Sequence, residues 1–190
     1  MNTPAHLIAN LLVLSRRERP REVVPITVGA LLPDAPMLVF YAWEKIVRHT
    51  PEMTIWRERY FDPGWQTFFD LFNSLPLIAL AMLVAHFVGS RGALVLCGSM
   101  GIHALSDLPL HREDAHRHFW PLSDWRFESP VSYWHPDHFG AWVSLAEIAL
   151  TVGGAVLLWR RHPQRWIRGL AVTLAGLYVL YWGFVVLVWM

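Results

Sequence analysis

Gly140-Ala-Trp-Val-Ser-Leu-Ala-Glu-Ile-Ala-Leu-Thr-Val-Gly-Gly-Ala-Val-Leu-Leu-Trp159 is the stretch whose reading decides the fold. Its one charged residue is Glu147, and Arg160 and Arg161 close it. The apolar residues run on without the alternation of a half-buried strand. As a helix the stretch is about 30 Å long, which matches the hydrocarbon core of a bilayer. Glu147 is expected to pair with a His or Arg, because a lone charge at membrane depth is costly.

Five further apolar segments surround this one: 4–14, 23–43, 71–89 and 93–110 before it, and 167–190 after it. The second is interrupted by Leu-Leu-Pro33-Asp34-Ala-Pro36. Hydrophobic residues make up 54% of the 190 and charged residues 16%, more apolar surface than so short a water-soluble chain can bury. The expectation is therefore all-α: a polytopic membrane bundle of five or six hydrophobic helices. It forms one domain over 1–190, with longer polar loops at 44–70 and 111–139. Segment 4–14 is short for a span, so a re-entrant or interfacial placement is its alternative. No Lys or Arg precedes it, unlike a signal peptide.

Eleven Trp suit membrane–water interfaces. The single cysteine, Cys97, excludes an intrachain disulfide and a zinc–thiolate cage. A net charge of +1 gives no reason to expect a nucleic-acid partner. Arg16, Arg17, Arg19, Arg21, Arg91, Arg160 and Arg161 crowd the short loops, which places those loops in the cytoplasm and the two long loops outside.

The chemistry gathers between segments four and five. Six of the ten His lie between His103 and His138. On an ideal helix His103, Asp107, His111, Asp114 and His118 fall on one face, while His116 falls on the other. Pro109 ends or kinks that helix and can swing His111–His118 back over its end. Three imidazoles with two carboxylates suit zinc or a similar divalent ion. Asp34 lies between two helix-breaking prolines and His6 near the start of segment one. In the expected topology both approach the same outer end as His103. The bland readings are a His103–Asp107 pair that only ties helices together, and Asp34 as a helix cap. His86 and His162 read as structural or interfacial, and His135 and His138 as loop surface.

At Thr3-Pro-Ala-His6, Leu-Leu-Pro-Asp34 and His103-x-x-x-Asp107 leading to His111 and His118, the sequence resembles the YdjM-like family of membrane-bound metal-dependent hydrolases. The phrase from His118 through Asp124 to Trp134 is similar to a proteobacterial subgroup often labelled CobQ-like, after cobalamin biosynthesis. Glutamine amidotransfer needs an activated nucleophile, and Cys97 in an apolar helix does not supply one. A looser likeness, in ligand order, is to zinc-dependent phospholipases C, although their closing His-x-x-x-Glu pair is missing here.

The resemblance implies a metal-dependent hydrolase at the outer face of a bacterial inner membrane. The metal ligands expected are His6, Asp34, His103, Asp107 and His118, with His111 next. The ion expected is zinc, with manganese or iron as alternatives. Asp114 or Asp124 would be the general base, and a lipid or phosphoester the substrate. The alternative is a non-enzymatic membrane protein that moves or senses a metal ion or proton.

Overall fold

A computed structural model describes residues 1–189, and those residues are helical with no strand. Proline placement explains most of the helix boundaries. Pro4 sits in the first turn of α1 (Thr3–Leu14), where its missing N–H leaves no helical bond unmade. Pro33 falls in the break between α2 (Val23–Leu31) and α3 (Ala35–Ala42), and the arms Pro20–Leu31 and Ala35–Val47 meet at 52°. After α4 (Glu52–Arg57), α5 (Pro63–Asn73) and α6 (Leu75–Phe87) form a second bent pair, at 42°. Ser74 caps α6 by accepting from Leu77 N–H. Ser90 does the same for α7 (Arg91–Asp107), by accepting from Ala93 N–H. Two long helices close the chain, α8 (Gly140–Arg161) and α9 (Arg165–Trp189).

Among the described residues two helices, α8 and α9, are each long and apolar enough to cross a membrane; counting each bent pair as one span raises the number to four. That is fewer than the five or six expected. Segment one is a helix of 12 residues and α7 one of 17. The polar stretch 44–70 is not all loop, since it contains α4 and the start of α5.

The bundle buries an unusual number of polar groups beside its apolar core and exposes large apolar side chains. His6, Asn10, Asp70, Ser99, His103, Asp107, Glu147 and Thr151 are buried. Leu80, Leu83, Val84 and Phe87 on α6, Trp142, Leu145 and Leu157 on α8, and Leu177, Leu180 and Phe184 on α9 are exposed. An apolar exterior this extensive marks a surface that meets something other than water.

Two glycines set the closest approaches. A Cβ on Gly29 would stand 2.2 Å from the Leu96 carbonyl oxygen, so α2 and α7 touch backbone to backbone. A Cβ on Gly154 would stand 2.3 Å from Ile8 Cγ2, so the α8 backbone there packs directly on side chains of α1. Arg161 Nη1 donates to the Leu12 carbonyl at 2.6 Å, and Arg91 pairs with Glu22. The C-terminal ends of α1 and α8 and the N-terminal end of α7 thus form one basic end of the bundle. His6, Asp34 and His103 lie towards the other.

Candidate metal centre

On α7, His103 and Asp107 are one turn apart, and His103 Nε2 lies 3.0 Å from Asp107 Oδ2. From α1, His6 Nε2 lies 2.8 Å from Asp107 Oδ1. The two imidazoles stack with centroids 3.6 Å apart and planes 9° from parallel. One donor atom from each of these three buried residues lies within 4.8 Å of the other two. Asp34, at the break between α2 and α3, places Oδ1 3.4 Å from His103 Nε2, and its Oδ2 accepts from Thr3 Oγ1 at 2.5 Å.

The neighbours of the rings bear on their tautomers. His103 Nδ1 lies 2.8 Å from the Ala30 carbonyl, which can only accept, so Nδ1 carries the proton. Ser106 Oγ lies 3.1 Å from His6 Nδ1 and 2.9 Å from the His103 carbonyl, so it accepts from His6 when its own hydrogen goes to that carbonyl. With both rings neutral and protonated at Nδ1, both buried Nε2 atoms hold a lone pair. Each lone pair is turned towards Asp107. Lone pairs facing a carboxylate repel unless a cation lies among them. Two imidazoles with one or two carboxylates, their Nδ1–H groups anchored behind them, fit a zinc-class ion.

The stripe expected on one continued helix does not extend beyond Asp107. Pro109 ends α7 there, and the N–H groups of Leu110 and His111 both bond the Asp107 carbonyl, at 2.9 and 3.1 Å. The chain then doubles back over the helix end. His111 still arrives, with Nε2 3.2 Å from Asp107 Oδ1 and Nδ1 2.9 Å from Asp114 Oδ2. Burial opposes charge on His111, but the Asp107 carboxylate overrides it and raises the His111 pKa to about 9. The Met1 amino group lies 2.7 Å from Asp107 Oδ1.

His118 is not brought into the close group. Its Nδ1 lies 3.1 Å from the His116 carbonyl, and its buried Nε2 has no partner. Burial, helped by the neighbouring His116, pushes the His118 pKa down to about 4, so its ring is neutral. Asp114 borders a cavity of about 500 Å³ walled by Trp56, Tyr60, Phe61, Tyr133 and Trp134, with Arg57 also in its lining. Asp124 is exposed and pairs with Arg117 Nη1 at 2.8 Å.

Several participants escaped the sequence reading. Asp70 is fully buried and accepts from Arg117 N–H at 2.9 Å and from Arg117 Nε at 2.5 Å. His116 Nδ1 stands 3.6 Å from it, which ties the returning loop to α5. A carboxylate at the edge of an apolar run was the available signal. Glu147 pairs with neither a His nor an Arg. It accepts from Asn2 Nδ2 at 2.7 Å and from Tyr178 Oη at 2.5 Å. The Ala30 carbonyl and Ser106 carried no signal in the sequence. His162 is structural, with Nε2 2.9 Å from Ser15 Oγ. No protein-family model, curated protein or solved structure matches the chain.

Proposed function

We propose that the chain is a multi-pass protein of a bacterial inner membrane and a metal-dependent hydrolase of the YdjM-like kind. His6, His103 and Asp107 would hold a divalent ion, zinc or alternatively manganese or iron, with Asp34 and His111 beside them. The observation that carries this reading is the pair of buried Nε2 atoms turned onto one carboxylate. Two protons in their place would make two imidazolium rings stacked at 3.6 Å, whereas one dication serves both rings. When bound, such an ion polarises a phosphoryl or acyl oxygen and acidifies water.

The chain's own residues supply the rest. Asp114, oriented by His111 and bordering the cavity, is the proton acceptor of this reading. Asp124 has weaker support, because Arg117 already holds it. The aromatic walls suit the apolar part of a lipid or phosphoester substrate, and Arg57 suits its anion. The exposed apolar faces of α6, α8 and α9 support a bilayer as the surroundings. The basic end supports a cytoplasmic side opposite the centre. The buried ionisable groups form one compact cluster instead of a string along the bundle, which favours a bound ion over conduction.

The test is hydrolysis of a panel of lipid phosphoesters and of bis(p-nitrophenyl) phosphate by detergent-purified, zinc-loaded protein. Metal-dependent turnover that disappears in Asp114→Asn, with zinc retained, is the expected result. Bound zinc without turnover on any substrate would replace hydrolysis with metal handling.

A further inference from the structure

We propose a second divalent-metal site, formed by Glu113, His135 and His138, at the rim of the aromatic cavity. One donor atom from each of these residues lies within 4.8 Å of the other two. The two rings lie 5.0 Å apart at 51°, so they converge instead of stacking. Both imidazoles are half-buried and Glu113 is exposed, so a hydrated ion reaches the group directly.

The backbone builds the two-histidine arm without help from an ion. Ser132 Oγ accepts from His135 N–H at 3.2 Å, and the His138 carbonyl accepts from Ser132 N–H at 2.8 Å. The N–H groups of His138 and Gly140 both bond the His135 carbonyl at 3.1 Å. Phe139 takes the left-handed conformation, at φ 65°. A Cβ on Gly140 would stand 2.7 Å from the His135 carbonyl oxygen, so the turn closes only over glycine. A preformed arm gives up little conformational entropy on binding. The competing contacts are modest. Arg112 Nε is 3.7 Å from Glu113, and Asp137 N–H meets His135 Nδ1 at 3.3 Å, a long bond that a ligand at that nitrogen replaces.

Two imidazoles and a carboxylate select zinc-class ions over calcium or magnesium. Three protein ligands leave a fourth position open. Glu113 and Trp134 line the same cavity as Asp114, so that position lies at the cavity rim and suits water or an anionic oxygen. The ion would also clamp the turn after Ser132 to the segment that carries His111 and Asp114. None of this depends on the buried centre holding metal.

The test is zinc content by elemental analysis, with zinc titration, on the detergent-purified full chain. With both sites occupied, the wild type holds about two equivalents, and His135→Ala/His138→Ala holds about one. If the buried centre is metal-free, the wild type holds about one and the double variant none, which separates failure of that reading from failure of this one. Glu113→Gln changes an exposed side chain and guards against a double variant that misfolds. It should weaken the second equivalent by at least tenfold while leaving any first equivalent unchanged. Unchanged zinc content and affinity in both variants would overturn the proposal.

Discussion

The two histidine clusters use the same donors and differ in how the protein supports them. His6, His103 and Asp107 come from two packed helices and are fully enclosed. Their free ring nitrogens are fixed by Ala30 and Ser106, on α2 and α7. Glu113, His135 and His138 come from one turn and one loop, and Glu113 is open to water. In the buried cluster, backbone packing between helices decides which nitrogen is free. In the rim cluster, local turn geometry decides only where the rings sit. An unfilled buried cluster leaves lone pairs facing a carboxylate without solvent, while an unfilled rim cluster is simply hydrated. The first should bind more tightly and be more sensitive to distant packing.

The largest expected effect divides the two directly. His103→Ala/Asp107→Ala should eliminate metal from the buried centre and leave the rim equivalent in place, as read by elemental analysis. Unchanged metal content would mean that the buried residues only tie helices together. Next comes packing at a distance. Gly29→Val forces a side chain onto the Leu96 carbonyl, with an expected cost of about 1–3 kcal/mol or more in detergent unfolding. It should also weaken the buried centre, because it moves the Ala30 carbonyl, and spare the rim site. Equal weakening of both sites would break the distinction.

Ser106→Ala removes the acceptor that holds His6 Nδ1–H. Metal affinity at the buried centre should fall roughly 10–100-fold, with recovery in Ser106→Thr. A pH limb in metal-free protein supplies the last test. The pKa of His118 is lowered from 6.5 to about 4, chiefly by burial. Between those values the unfolded chain takes the proton before the folded one does. Stability is therefore complete above pH 6.5 and is lost as pH falls towards 4. His118→Gln should flatten that limb of a thermal-unfolding series, and an unchanged limb would assign it to other groups.

Much of this arrangement was legible in the sequence. Continuous apolar runs gave helices, and the four-residue step from His103 to Asp107 gave a shared face. The halt at Pro109 was legible too, because proline removes a donor wherever it falls. What the sequence left open was long-range. Whether the chain after Pro109 leaves or returns depends on Asp70, some 40 residues earlier, receiving Arg117. The tautomer of His103 depends on a carbonyl, and every residue has one. The span count was overestimated because α1 has 12 residues and α7 has 17, both short for a membrane span. The rim cluster looked like loop surface because Glu113 and His135 are 22 positions apart, a separation with no periodic signature.

The shortness of α1 has a consequence for depth. His6 stands ten residues before Arg16, and His103 twelve after Arg91, or about 15–18 Å of helix in each case. With those arginines at one interface of a hydrocarbon core about 30 Å thick, the centre of the proposed orientation lies more than 10 Å below the opposite interface. A lipid whose reactive bond must reach that level sinks its head into the protein and keeps its tails in the leaflet, so turnover would require no extraction from the membrane. Detergent micelles, which have no fixed thickness, would then understate the rate, and vesicles of graded acyl length would reveal it.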